Sequence, residues 1–269
     1  MGVRFKALIL DFDGVLADTE PTHMRLFQRV LAEEKLLLND DEYLRRYLGL
    51  TDRACFSAVY RAYGRSISTE HLDALVARKS RHMLEALRTD IIVSDSVRSF
   101  VLDAGEHYRL AVASGALREE IELCLDRIGL LDVFEHITAA QDVLRGKPFP
   151  DPYVHCFTAL ASGQMIATDE CLAIEDTPIG VQAAKAAGLY CVGIATTVVP
   201  DALTLADFVA PSLEKMDLGH VARRLIGGAC RSPESDIQMP HLGFLRSFGG
   251  WESNRPASEA QCRNSSQPI

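Results

Sequence analysis

The sequence contains no paired cysteine motif. Its seven cysteines are scattered over 269 residues, and no two of them form a Cys-x-x-Cys arrangement. Structural zinc sites and disulfide frameworks depend on closely spaced or paired cysteines, so neither is indicated. Small buried thiols in a reducing compartment are the simpler interpretation. We therefore expect a cytoplasmic protein.

Basic clusters and long apolar runs are also missing. The chain has 28 Lys and Arg residues against 37 Asp and Glu residues, which gives a formal net charge of -9. An acidic protein without a concentrated basic patch repels nucleic acid and anionic membranes. No apolar run approaches the length of about 20 residues that a membrane-spanning helix needs. We expect a soluble monomer that binds neither nucleic acid nor membrane.

Short apolar runs alternate with helical patterns along most of the chain. The runs at 5–10, 109–113, 171–174 and 190–195 are predicted to be buried strands, with a shorter fifth strand at 208–210. Strands that are separated by helices indicate βαβ units and a parallel sheet. The predicted fold class is α/β, with a Rossmann-like parallel sheet core and an inserted helical cap domain.

The cap is predicted from the residues that follow the first strand. Positions 17–89 carry helical patterns without buried strand runs, so the core is expected to comprise residues 1–16 and 90–226. The stretch 227–269 is rich in Gly, Pro and Ser and lacks periodicity, which predicts a disordered tail.

Two helix starts are predicted from residues that precede a proline. Asp151 and Thr177 can cap helices in which Pro152 and Pro178 occupy the first helical position. Gly188 is available for the left-handed residue that ends the second of these helices.

A pair of carboxylates follows the first predicted strand. Asp11 and Asp13 stand two positions apart, so on an extended chain their side chains point to the same side. Gly14 then permits a sharp turn, and ligands of parallel α/β sheets bind at this end of the strands. Taken alone, the pattern also fits solvated turn carboxylates or a fragment of a calcium loop, although the further acids and closing Glu of such a loop are absent.

Three later segments supply companions for this pair. Ser114 and Gly115 follow the second predicted strand and suit a phosphate contact at a helix N-terminus, although Ser114 could be a plain N-cap. Lys147 could neutralise phosphate charge or be a solvated loop lysine. Glu175 and Asp176 suit Mg²⁺, or they could be acids that favour a helix dipole.

In order and spacing, these segments resemble the four motifs of the haloacid dehalogenase superfamily. The motifs read DFDGVL at 11–16, Ser114, Lys147-Pro148 and Glu175-Asp176. The early helical insert is similar to that of the beta-phosphoglucomutase-like subgroup. The resemblance implies a Mg²⁺-dependent enzyme that transfers a phosphoryl group from a small phosphorylated metabolite.

The resemblance also implies roles for the motif residues. Asp11 would attack phosphorus and form an aspartyl phosphate, and Asp13 would act first as general acid and then as general base. Ser114 and Lys147 would hold the phosphoryl oxygens. The implied Mg²⁺ ligands are Asp11, the carbonyl oxygen of Asp13, Glu175 and Asp176.

Cap residues would complete the substrate site together with Gly115. By resemblance, His23 helps to couple cap closure to the acid–base chemistry, and Lys79 matches a cap lysine of the subgroup. Arg53 would grip a distal anionic group of the substrate. The alternatives are a partly buried hinge histidine, a solvated lysine and an arginine paired with a cap carboxylate.

Other functions are less well supported by the residues. Dehalogenation needs no acid at position 13, and phosphonate-cleaving relatives usually lack one. A flavodoxin-like phosphoacceptor has its aspartate later in the chain and no insert, and the four intact motifs argue against an inactive binding protein. A sugar phosphate mutase is the main alternative. However, Asp52 occupies the place of the subgroup's phosphate-gripping arginine and would repel a distal phosphate, so a phosphatase is favoured.

Overall fold

The computed structural model describes residues 5–89 and 93–227. The strands in that part of the chain are β1 (Ala7–Leu10), β2 (Arg109–Ala113), β3 (His136–Thr138), β4 (Cys171–Glu175), β5 (Tyr190–Ile194) and β6 (Phe208–Ala210). They form one parallel sheet in the order β3-β2-β1-β4-β5-β6. The predicted α/β class is confirmed, and β3 is the strand that the apolar runs did not reveal.

Of the helices that the structure describes, five lie between β1 and β2. The described helices are α1 (Glu20–Glu33), α2 (Asp40–Arg46), α3 (Asp52–Ala62), α4 (Thr69–Thr89), α5 (Asp95–Gly105), α6 (Arg118–Arg127), α7 (Asp151–Ala161), α8 (Pro178–Ala186) and α9 (Leu218–Gly227). Helices α1–α4 bury apolar side chains against one another, with Phe27, Phe56 and Leu75 at the centre. None of the helices in the described ranges is long and apolar enough to cross a membrane.

The sheet buries both of its faces, and alternate residues of β1 serve opposite sides. Leu8 and Leu10 pack with residues of α5, α6 and α9, whereas Ala7 and Ile9 pack with residues of α7 and α8. This alternation follows from the two-residue period of a strand. β1 therefore lies between two layers of helices, and all four of its residues are buried.

One of the two predicted helix caps is confirmed and the other is wrong. Thr177 caps α8 as predicted, because its hydroxyl accepts a hydrogen bond from the Gly180 N–H at 3.2 Å. The prediction for Asp151 is wrong, since Pro150 is the capping residue and Asp151 is the first residue of α7. The Asp151 carboxylate instead accepts two hydrogen bonds from Arg145, at 2.9 and 3.0 Å.

The predicted tail at 227–269 lies, apart from Gly227, outside the residues that the structure describes.

Candidate active site

The carboxyl ends of three neighbouring strands bring the motif residues together. Leu10 of β1 pairs in register with Val112 of β2 and Ile174 of β4. The residues just beyond these positions therefore share one edge of the sheet. These residues are Asp11, Ser114, Glu175 and Asp176, and all four are buried.

Lys147 reaches this edge from the loop before α7. Its ammonium lies 2.8 Å from Oδ1 of Asp11 and 2.5 Å from Oε1 of Glu175, and the side chain is buried. Burial alone would lower the pKa of Lys147, but the two carboxylates raise it above its ordinary value. Lys147 is therefore a fixed positive charge beside Asp11.

Glu175 orients this lysine and is itself held by hydrogen bonds to both carboxylate oxygens. Its Oε1 accepts from the Tyr153 hydroxyl at 2.7 Å, in addition to its contact with Lys147. Its Oε2 accepts from the Asp176 N–H at 3.1 Å and from the hydroxyl and N–H of Thr177 at 3.2 and 3.3 Å. The carboxylate has little freedom to rotate, because each of its oxygens accepts hydrogen bonds from at least two donors.

Three acids could hold a metal ion at this edge. Asp11, Glu175 and Asp176 each offer an oxygen, and these oxygens lie within 4.8 Å of one another. Burial, followed by the neighbouring carboxylates, raises the pKa values of Asp11 and Asp176 well above their ordinary values. Oδ1 of Asp176 is buried and has no hydrogen-bond partner within the described part of the chain. A hard cation with oxygen ligands fits this group, because it would neutralise the crowded charge and bind the unpartnered oxygen.

Gly14 permits the close approach of this cluster to the chain after β1. Its φ is +76°, and a Cβ there would collide with Oδ2 of Asp176 and the hydroxyl of Thr197. The Thr197 hydroxyl donates a hydrogen bond to that same Oδ2. The position therefore requires glycine both for its backbone conformation and for space.

Asp13 faces the cap with one oxygen and the core with the other. Oδ1 accepts a hydrogen bond from the Thr19 hydroxyl and lies 3.3 Å from Nε2 of His23. Oδ2 accepts from the Ser114 hydroxyl at 3.4 Å. Burial would raise the pKa of Asp13, but His23 and Thr19 stabilise the charged form and leave the pKa below its ordinary value.

Lys79 connects His23 to the rest of the cap. It is fully buried, and its ammonium donates to Oδ1 of Asp52 at 2.6 Å and to Nδ1 of His23 at 2.7 Å. Because an ammonium can only donate, Nδ1 must accept, and Nε2 then carries the proton that points at Asp13. A continuous chain of contacts runs from Asp52 through Lys79 and His23 to Asp13.

Arg53 is the predicted site residue that does not join this group. It is exposed and forms an ion pair with Asp73 of α4. It lines a different cavity, whereas Gly115 and His23 border the space next to Asp11.

Comparison with known proteins agrees with this geometry. The sequence profile described as "Haloacid dehalogenase-like hydrolase" matches residues 8–194 of the chain, which span β1 to β5. The chain belongs to the haloacid dehalogenase-like hydrolase family. It is therefore an enzyme, as the sequence motifs predicted.

Curated relatives of this hydrolase include two phosphatases. It is 26% identical to validoxylamine A 7'-phosphate phosphatase of Streptomyces hygroscopicus subsp. limoneus, over 81% of this chain and 98% of the relative. It is 29% identical to fructose-1-phosphate phosphatase YqaB of Escherichia coli, over 71% of this chain and 97% of that relative. Among solved structures, beta-phosphoglucomutase from Clostridium difficile matches with a TM-score of 0.72 at 18% identity, over 82% of this chain and 97% of that one. The last likeness concerns the fold.

Three residues of the hydrolase's site were not assigned a role from the sequence. Thr19 bonds to Asp13, Tyr153 to Glu175, and Thr197 to Asp176. Thr197 follows β5 at the same sheet edge, so its position after a predicted strand could have indicated it. Thr19 and Tyr153 lie outside the four motifs, and nothing in their spacing identifies the atoms that they contact.

Proposed function

We propose that this hydrolase is a Mg²⁺-dependent phosphatase that acts on a sugar phosphate or a similar small phosphorylated metabolite. The observation that carries the proposal is the fixed pair of Asp11 and Lys147 beside a second carboxylate, Asp13, which is held separately. One carboxylate can attack, and the other can move a proton.

Asp11 serves as the nucleophile in this mechanism. A carboxylate oxygen forms a bond to phosphorus while the ester O–P bond breaks, which gives an aspartyl phosphate. Lys147 neutralises charge on the phosphoryl oxygens, and Glu175 keeps its ammonium in place. The Ser114 hydroxyl, which donates to Asp13 in the structure, would donate to a phosphoryl oxygen when the ester is bound.

Asp13 gives its proton to the departing alkoxide and then takes one from the attacking water. Phosphorus passes to the water oxygen, and the Asp11 carboxylate is regenerated. The hydrogen bonds from Thr19 and from Nε2 of His23 hold the carboxylate in position for both steps. A bound phosphate dianion would raise the pKa of Asp13, so that it can carry the proton for the first step.

Asp11, the Asp13 carbonyl, Asp176 and Glu175 would hold Mg²⁺. When bound, the ion shields the negative charge of the phosphate from the attacking carboxylate.

One wall of the space next to Asp11 favours hydrolysis over mutase activity. A bisphosphorylated intermediate needs two anion sites, but Asp52 places a carboxylate on that wall and binds Lys79 with it. The phosphatase activities of the two relatives point in the same direction. We propose that residues 17–89 form the cap that carries this wall, and that residues 1–16 and 90–226 form the core.

A panel of phosphate esters, assayed with and without Mg²⁺, tests the proposal. Release of inorganic phosphate from one or more esters, only when Mg²⁺ is present, is expected. β-Glucose 1-phosphate should be included with a catalytic amount of glucose 1,6-bisphosphate. Efficient formation of glucose 6-phosphate without phosphate release would identify a mutase and refute the proposal.

A further inference from the structure

We propose that the site selects phosphate monoesters whose leaving group is extended and uncharged, longer than a single sugar ring. The inference rests on the proposed function and adds the class of leaving group. It comes from a second cavity that adjoins the space above Asp11.

Two cavities have Asp52 and Gly115 in their walls. The inner one lies above Asp11 and has free space of only about 30 Å³. The outer one has a volume of about 360 Å³ and is bordered by the same Asp52 and Gly115. The proposal places the phosphoryl group on Asp11 in the inner cavity and the far end of the leaving group in the outer one.

The outer cavity is large for the distal end of a small ester. Pockets of about 300–1,000 Å³ hold ligands of drug size. A leaving group of one ring would leave most of this volume to water. A second ring would fill the cavity and shield its apolar walls from solvent.

The walls of the outer cavity suit an uncharged group. Val76 comes from α4, Leu117 from the start of α6, and Val143 and Leu144 from the loop before α7. Leu144 is fully exposed, so covering it would be favourable. Neutral polar contacts come from Thr51 and Gln141, which border the same cavity. Such a mixture of apolar walls and few polar groups fits the faces and hydroxyls of a sugar.

The cations near the cavity are already paired with acids. Arg53 on the wall pairs with Asp73. Arg118, next to Leu117, lies 2.5 Å from Asp142 and 3.2 Å from Glu122. A second phosphate would have to break one of these ion pairs.

The junction of the two cavities favours a hydrogen-bond donor. Oδ1 of Asp52 is bound by Lys79, but Oδ2 is buried and has no hydrogen-bond partner among the residues that the structure describes. A buried carboxylate oxygen without a donor is costly, and a hydroxyl of the leaving group would supply one. A phosphate at the same place would be repelled.

Three esters that share one phosphorylated ring test the inference. Glucose 6-phosphate is the compact member, trehalose 6-phosphate adds an uncharged ring, and glucose 1,6-bisphosphate adds a charge. We expect kcat/KM for the disaccharide ester to exceed that for the compact ester by at least about tenfold. The bisphosphate should be the poorest substrate. If the enzyme hydrolyses only 1-phosphates, maltose 1-phosphate and glucose 1-phosphate form the equivalent pair.

A variant that fills the outer cavity separates this effect from general activity. Val76→Phe should reduce the preference for the disaccharide ester to about one. Ala77→Phe is the matched control, because Ala77 is the exposed neighbour on α4 and should leave the preference intact. Val143→Phe fills the cavity from the loop and serves as the second variant if Val76→Phe fails to fold.

The outcomes distinguish the two proposals. Phosphate release from compact esters without a preference for the extended one would overturn this inference and leave the phosphatase intact. The inference would also be overturned if both cavity variants kept the preference for the disaccharide ester. It would be overturned as well if the bisphosphate were the best substrate. Absence of phosphate release from every ester would refute the proposed function, and this inference with it.

Discussion

Individual residues of the site are held by partners on different parts of the chain. Asp11 is fixed by Lys147 from a loop, and Asp13 is fixed by Thr19 and His23 on one side and Ser114 on the other. The two carboxylates are therefore oriented independently, although only one residue separates them. Substitution of each should then have a different consequence.

Asp11→Asn should abolish turnover, because a neutral amide cannot attack phosphorus and binds a divalent cation poorly. Asp13→Asn should slow the reaction by about 10²–10⁴, the usual contribution of general acid–base catalysis. Phosphate release measures both effects, and trapping of the phosphorylated enzyme distinguishes them, since only Asp13→Asn retains the nucleophile. Wild-type turnover in Asp11→Asn would refute the mechanism.

Gly14→Ala should destabilise the fold and weaken Mg²⁺ binding, because the new methyl group would displace the Asp176 carboxylate. Gly64→Ala is the matched control. Gly64 also has positive φ, at +66°, but no atom lies within 4 Å of the Cβ position. The free energy of unfolding of the control should fall by only about 1–2 kcal/mol, because a residue with a Cβ is less stable in the left-handed backbone conformation. Urea unfolding and calorimetric Mg²⁺ titration check the prediction, and equal losses in both variants would contradict it.

At the scale of secondary structure elements, α4 and α6 enclose a buried carboxyl group. Glu120 of α6 is 1% exposed, and its Oε1 has no hydrogen-bond partner. It lies near Lys79 and Ser80 of α4. Burial raises the pKa of Glu120 to about 7, although Lys79 opposes the shift. The group binds its proton more tightly in the folded protein than in the unfolded chain.

Glu120 should therefore make stability depend on pH. The pKa of Glu120 in the folded protein lies above the ordinary value of 4.5. The stabilisation that Glu120 contributes is therefore fully present below pH 4.5 and is lost as the pH rises to about 7. Relative to Glu120→Gln, the wild type should lose up to about 3 kcal/mol in free energy of unfolding across this window. Urea unfolding at pH 5, 6, 7 and 8 measures the loss. Exposed Glu119→Gln is the control, and a pH-independent difference for Glu120→Gln would contradict the prediction.

The sheet edge was predictable from the sequence because parallel strands place their carboxyl ends together. That rule brought Asp11, Ser114 and Glu175 to one edge without any contact information. The apolar pattern did not reveal β3, because its sequence His136-Ile137-Thr138 has a single apolar residue and forms no apolar run.

The burial of Lys79 could not be predicted from periodicity. Helical patterns report which positions are apolar, and a lysine is ordinarily assigned to the solvent face. Lys79 is buried because Asp52 and His23 lie against it, and these residues stand 27 and 56 positions earlier in the chain. Such distant pairing follows from the packing of α1, α3 and α4, which a single sequence does not specify.

For the molecule as a whole, Mg²⁺ should be a source of stability as well as of activity. Ligand binding to the folded state alone adds about 2.7 kcal/mol at a concentration 100 times Kd. Thermal unfolding should therefore shift upward with Mg²⁺ and downward with EDTA. Asp176→Asn should be more stable than the wild type in EDTA, because it relieves the crowding of buried charge. Mg²⁺ should raise the unfolding temperature of this variant only slightly. If Mg²⁺ raised it as much as in the wild type, the acidic cluster would not be the metal site.

The position of β1 also has a consequence during protein synthesis. Its sequence neighbours α1–α4 can bury apolar residues against one another as soon as they are made. β1 itself pairs with residues 109–112 and 171–174. At about 5–20 residues per second, the ribosome delivers the second of these partners roughly 8–30 s after β1. During this interval, the apolar segment Ala7–Leu10 lacks a neighbour on at least one side, so the nascent chain should be most prone to aggregate before β4 emerges.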